Sequence, residues 1–150
     1  MVKKLKVQYL LAMVVPAITL FVLYKPLNAQ QIATQILDDV VIERADYNAV
    51  IKVLFKRPFR YISHSPAKMG NSINVRISIL EGNLINDEQI IDSESIVIKD
   101  GKSTGLTEVI YDNSGRNSKY VILYFNKDVS FEVIQGSDQR NLSFIIYGLE

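Results

Sequence analysis

From about residue 40 onward, apolar and polar side chains alternate with a period of two. Ala49, Ile51, Val53 and Phe55 alternate with Val50, Lys52, Leu54 and Lys56. That period puts successive side chains on opposite faces of an extended strand. The even set is mixed, so this strand is expected to be covered on both sides. Ile73, Val75, Ile77 and Ile79 alternate cleanly with Asn74, Arg76, Ser78 and Leu80, as in a strand with one wet face. Tyr120-Val-Ile-Leu-Tyr-Phe125 is a continuous β-branched and aromatic run suited to a central strand. Ser130 to Ile134 and Leu142 to Tyr147 complete the strong set, and Val40 to Arg44, Ser95 to Lys99 and Leu106 to Tyr111 form a weaker one.

Turn residues separate the runs. Met69-Gly70-Asn71-Ser72, Asp100-Gly101-Lys102, Asp112-Asn113-Ser114-Gly115 and Gln135-Gly136-Ser137-Asp138 each read as a turn. Short strands with regular turns predict a sandwich or barrel. Gln31 to Asp38 reads as a short helix or an arm. Glu81 to Gly105 is polar and acid-rich, and reads as a long, mobile connection holding one strand.

The pattern also recurs. Leu54 to Tyr61 aligns with Tyr124 to Phe131, and Ile73-Asn-Val75-Arg-Ile77 answers Leu142-Ser-Phe144-Ile-Ile146, both at an offset of about 70 residues. A duplication of this kind predicts two similar β-meanders, each covering the apolar face of the other. The predicted fold is therefore all-β: a β-sandwich of two similar antiparallel sheets over residues 40–150, preceded by an arm or short helix at 30–39.

The first 29 residues follow different rules. Met1-Val-Lys3-Lys4-Leu-Lys6 is a short basic start, and Val7 to Tyr24 is apolar but for Gln8, Pro16 and Thr19. Lys25-Pro26-Leu27-Asn28-Ala29 ends on a small residue. This is the layout of a secretory signal peptide, with cleavage expected after Ala29, although Leu27 is larger than the residue preferred two positions before the cut residue. The alternative is an uncleaved anchor helix, for which 18 apolar residues fall just short of the roughly 20 that span a bilayer. Both readings place the lysines inside and the rest of the chain outside, which predicts a periplasmic protein, free or tethered to the inner membrane.

Charge and composition then exclude several functions. Four of the 17 basic residues, Lys3, Lys4, Lys6 and Lys25, belong to the N-terminal segment, leaving 13 cations against 16 acids. A nucleic-acid binder needs a cationic surplus, so no nucleic-acid partner is expected. The chain has no cysteine and a single histidine, His64, which leaves a transition-metal site short of ligands. Asp87-Glu88-Gln-Ile-Ile-Asp92 lacks the spacing and the glycine of a calcium loop. Gly101-Lys102-Ser103-Thr104 resembles the tail of a phosphate loop, but Ile96 stands where the earlier glycine belongs and a strand, not a helix, follows, so no nucleotide is expected.

Catalysis finds no foothold either. His64 lies between Ser63 and Ser65, and neighbours in an extended segment face opposite ways, so neither serine can be activated by it. No cofactor is expected, and the protein reads as a non-enzyme. What remains is a basic and aromatic cluster: Arg57, Arg60, Tyr61 and His64 beside Lys56, with Arg76 and Arg140 near it if the strands pair as proposed. Arginine offers forked donors to carboxylates, and tyrosine a flat face to a sugar or peptide. The plainer reading is a solvated strand edge whose cations discourage aggregation.

The segment Val53-Leu54-Phe55-Lys56-Arg57-Pro58-Phe59-Arg60-Tyr61, followed by Ile73-Asn74-Val75-Arg76-Ile77, resembles the AMIN family of bacterial envelope domains. The second half is similar to the N-terminal β domain of certain proteobacterial envelope proteins, through Leu106-Thr-Glu-Val-Ile-Tyr111 and Phe131 to Arg140. Over residues 40–147 the resemblance implies a sandwich of two similar sheets and a targeting role on peptidoglycan or an envelope machine. It transfers no binding residue one by one. Three expectations result: a module that recognises cell-wall polymer; an accessory protein that docks on an envelope complex through a sheet edge; and, third, a small cell-wall hydrolase or its inhibitor.

Overall fold

The structure is a computed structural model, and it describes residues 34–80, 91–99, 103–115 and 118–149. The N-terminal basic and apolar segment, the acidic residues 81–90 and the turn at Asp100-Gly101-Lys102 lie outside the described residues. Eight strands follow one another: β1 (Leu37–Ala45), β2 (Asn48–Phe55), β3 (Phe59–Ser65), β4 (Met69–Ile79), β5 (Ser93–Val97), β6 (Leu106–Gly115), β7 (Ser118–Gln135) and β8 (Asn141–Tyr147). Every pairing is antiparallel. The described residues contain no helix, so the protein is all-β there.

β7 is 18 residues long and belongs to two ladders. Its C-terminal part pairs with β8, giving the run β1-β2-β8-β7. Its N-terminal part lies between β6 and β4, giving β5-β6-β7-β4-β3. The sequence repeat reappears in these registers. Val53 pairs with Leu142 and Ile51 with Phe144; 70 or 69 residues further round, Leu123 pairs with Ile73 and Val121 with Val75. Tyr61 opposite Ile77 matches Phe131 opposite Ile146. Val40 opposite Val53 matches Val109 opposite Leu123, and the register shift between Leu37 and Asp39 matches the one between Leu106 and Glu108. The copies are therefore β1-β2-β3-β4 and β6-β7-β8, and each contributes its last strand to the other's ladder.

The inward positions of both ladders fall into one apolar cluster. Ile51, Val53, Phe144 and Ile146 of one ladder share it with Val75, Val109, Val121 and Leu123 of the other, all fully buried. Among the described residues no helix contributes to this cluster, which the strands build almost alone. Burying side chains of this size contributes about 1.5–3 kcal/mol each, which lets a chain without disulfides fold on its core alone.

Two local expectations are corrected, and a third is narrowed. Met69 to Ser72 is not a turn: Met69 pairs with Ser130 and Gly70 with Val129, and the ladder shifts register between Gly70 and Ser72. Glycine and asparagine serve a bulge here. A Cβ on Gly70 would lie 2.8 Å from Pro66 Cγ, so glycine is what allows β4 to pass the Ser65–Pro66 corner. Asp112 to Gly115 is likewise the end of β6, with Gly115 paired to Ser118. Its turn chemistry survives at the Asp112 carboxylate, which the Ser114 side chain and then the Ser114 N–H, at 2.8 Å, hold below the usual carboxylate pKa. In the described part of Gln31 to Asp38 there is no helix, and β1 begins at Leu37. The expected turn after Gln135 is present, closed by Gly136 N–H to the Asn141 carbonyl at 3.0 Å.

Candidate functional site

The structure sorts the six sequence-selected residues into three places. Phe59 is buried and Arg60 exposed, so β3 enters with Arg60 on its outer face. Arg60 lies opposite Ser78 on β4, and Arg76, two residues earlier on the same face, lies opposite Ser63 and, on its other side, opposite Tyr120 of β7. Arg60 and Arg76 thus share one outer sheet face. Continuing along that face, Asn74 lies opposite Ile122 and Ser72 opposite Tyr124. Ile122 and Tyr120 are part-exposed, and Tyr124 is 39% exposed. The result is a sheet face of two arginines and two tyrosines set among serine and asparagine, with Asp112 opposite Tyr120 and Glu108 opposite Tyr124 on the β6 side.

Tyr61 and His64 lie on the other side of β3. The register shift between Tyr61 and Ser63 keeps both turned inward, opposite Ile77 and Val75. The Tyr61 hydroxyl is 2.6 Å from His64 Nδ1, and His64 Nε2 is 3.1 Å from the Ala67 carbonyl oxygen. Nε2 can meet that carbonyl only as a donor, and Nδ1 is engaged by the Tyr61 hydroxyl, so both ring nitrogens have a partner. Its edge meets Phe131, with ring centroids 5.8 Å apart at 61°. His64 stands where the second copy has Val133, since Val75 and Phe144 are their equivalent partners. A cleft of about 430 Å³ opens beside it, lined by His64, Lys68, Phe131, Glu132 and Tyr147. Tyr147 donates to Glu132 Oε2 at 3.0 Å, which raises its pKa above the usual phenol value.

Arg57 and Arg140 form the third group, at the corner between β2 and β3. Arg140 Nη1 donates to the Lys56 carbonyl at 3.2 Å, and the Arg140 carbonyl accepts from Phe55 N–H at 2.9 Å. Arg140 is thereby tied to the corner, next to Arg57. The outer edge of β3 is fixed in a similar way. Gln135 accepts from Tyr61 N–H at 3.1 Å and donates to the Phe59 carbonyl at 2.7 Å, so its amide stands in for a neighbouring strand. Gln135→Ala removes both bonds and is expected to cost about 1–2 kcal/mol. Amide exchange at Tyr61 should quicken at least tenfold; an unchanged rate would show that β3 does not depend on this bridge.

The sequence picked out cations but missed Tyr120, Ile122 and Tyr124. Tyr120 and Tyr124 share one parity in a run that is apolar on both parities, and that shared parity was the available signal. Among the described residues, no group of three or more His, Asp or Glu side chains is close enough to hold a metal ion.

Against protein-family models, curated proteins and solved structures, the chain matches none.

Proposed function

We propose that this is a non-catalytic binding module of the bacterial cell envelope, whose outer sheet face recognises peptidoglycan. The observation that carries the reading is the pairing of Arg76 with part-exposed Tyr120 on an outer sheet face that also presents Arg60 and Tyr124. Stem peptides end in carboxylates, which arginine grips with two parallel hydrogen bonds. The glycan strand offers flat sugar faces, which tyrosine rings accommodate. The short serines and Asn74 between them let a rigid polymer approach and hydrogen-bond. The resemblance to AMIN domains supports the same ligand. The exchanged repeats support a sandwich, in which the two ladders pack face to face and leave their outer faces for contact.

The basic, apolar, small-residue start of the chain supports export to the periplasm, with the segment either removed or kept as a tether. The hydrogen bonds at both ring nitrogens of His64 support a binding role over hydrolysis, because neither nitrogen is free to serve a water or a serine.

Retention on purified sacculi tests the reading. Arg60→Ala/Arg76→Ala should lower retention about tenfold or more, as two charge-assisted contacts are lost. Arg57→Ala/Arg140→Ala, away from that face, should lower it far less. Retention that survives the first pair would remove the polymer from this face. Failure of the native protein to sediment with sacculi, together with co-purification on a membrane complex, would favour docking instead. Turnover of labelled wall fragments would overturn the non-enzyme reading.

A further inference from the structure

The face that carries Arg60, Arg76, Tyr120 and Tyr124 continues onto β6, and its charge changes sign there. Residues directly opposite one another lie on the same side of a sheet. Arg76 is opposite Tyr120, and Tyr120 is opposite Asp112. Ser72 is opposite Tyr124, and Tyr124 is opposite Glu108. Between these rows Asn74 meets Ile122, and Ile122 meets Ile110. Asp112, Ile110 and Glu108 are all part-exposed. The face is cationic on β3 and β4 and acidic on β6, with the Tyr120–Tyr124 ridge between. Neighbouring strands lie about 4.8 Å apart, so roughly 10 Å separates the backbones of the cationic and acidic columns. No ion pair joins Arg60 or Arg76 to Asp112 or Glu108.

The first copy shows what the acidic column can hold. Glu43, Val41 and Asp39 of β1 oppose Val50, Lys52 and Leu54, as Asp112, Ile110 and Glu108 oppose Tyr120, Ile122 and Tyr124. Both copies therefore keep two acids around one aliphatic residue. In the first copy the middle strand supplies a cation to this column: Lys52 Nζ lies 2.9 Å from Glu43 Oε1. In the second copy Ile122 stands where that lysine would be, and tyrosines replace Val50 and Leu54. The chain thus places an ammonium group over one acidic column and an apolar ridge beside the other. Asp112 is also held in its charged form. The Ser114 side chain and then its N–H keep the carboxyl below the usual pKa.

We propose that Asp112 and Glu108 bind a free amine on the same wall peptide whose carboxylate is held by Arg60 and Arg76, so that the face selects stem peptides that have not yet accepted a cross-link. This rests on the peptidoglycan reading above and specifies which part of the polymer is read. The ligand's amine takes the position that Lys52 Nζ holds in the first copy. The aliphatic stem below the amine lies along Ile122 and the tyrosine rings, as long cationic side chains do on apolar surfaces. The carboxylate reaches the arginines on the far side of the ridge. A cross-link turns the amine into an amide, which removes the positive charge and leaves the two acids without a counterion. New wall, rich in free amines, is then bound in preference to mature wall.

Two soluble probes test this on the full chain: a disaccharide–tetrapeptide with its side-chain amine free, and the same molecule with that amine acetylated. Acetylation should weaken binding by the native protein about fivefold, as expected for an exposed charge pair. Asp112→Asn/Glu108→Gln should bind both probes alike, at the level of the acetylated one. Asparagine keeps an oxygen for Ser114, and an otherwise unchanged amide spectrum checks the fold. Arg60→Ala/Arg76→Ala should weaken both probes by the same factor. Equal affinity of the native protein for the two probes, with both lost in the arginine variant, would overturn the amine selection and leave the peptidoglycan site standing. A preference that survives in Asp112→Asn/Glu108→Gln would place the amine elsewhere and overturn it too. If neither probe binds, the peptidoglycan reading fails and this inference falls with it.

Discussion

Phe144→Ala is expected to destabilise the domain by about 3–5 kcal/mol, the cost of removing a large aromatic side chain from a closed core. Phe144 is fully buried, between Ile51 of β2 and Val133 of β7. It therefore sits where a strand from the second copy is inserted into the first copy's ladder. The truncation leaves a cavity that neither neighbour can fill, because both are held by ladders on either side. Domains of this size are stable by only about 5–15 kcal/mol, so much of the total would be lost. The melting temperature should fall by roughly 15 °C or more. Tyr147→Ala, at the exposed end of the same strand, serves as the comparison and should cost well under half as much. A Phe144→Ala loss below about 1 kcal/mol would mean that the two ladders do not share a core.

Glu94→Ala comes second. The Glu94 carboxylate accepts from two consecutive backbone N–H groups, with Leu37 N–H at 2.8 Å, and both Ile36 and Leu37 are buried. Removing it leaves two buried donors without an acceptor, at about 1–3 kcal/mol for each group not rescued by water. The expected loss is about 2–4 kcal/mol in chemical denaturation, with faster amide exchange at Ile36 and Leu37. Glu94→Gln keeps an acceptor oxygen but loses the charge, and should fall between. A Glu94→Ala protein as stable as the native one would show that β1 and β5 are joined by something else.

Much of the fold was legible because several strands bury one face only. Ile73 to Ile79 alternates in burial as its sequence alternates in polarity, while Ala49 to Phe55, whose even set is mixed, buries its odd face fully and its even face only in part. β3 was harder to see as a strand, because the register shift after Tyr61 breaks the parity of Phe59, Tyr61 and His64. β7 read as two strands because Asn126-Lys127-Asp128 has the composition of a turn. In the structure these residues stay extended and exposed, held by Asn126 N–H to the Gly105 carbonyl at 2.8 Å and by the pairing of Gly70 with Val129 just beyond. The repeat was visible as an offset. The exchange of β4 and β8 was not, since local pattern does not say which of two similar ladders a strand joins.

The site was legible as a set of residue types and not as a place. Arg60 and Tyr61 are neighbours in sequence, yet one belongs to the outer face and the other to the His64 pair inside. Arg76 and Tyr120 are 44 positions apart and directly opposite. Burial of alternate residues decides the first case and strand order the second.

The exchange of final strands also bears on ancestry. Cut between β5 and β6, the chain yields two fragments, each with a β2-type strand whose only inner neighbour would be on the other fragment. Two identical short polypeptides could satisfy the same arrangement by trading their last strands across a twofold axis. A progenitor of half this length would have existed only as a pair, and fusing the two genes would have turned an assembly that depended on concentration into one that does not.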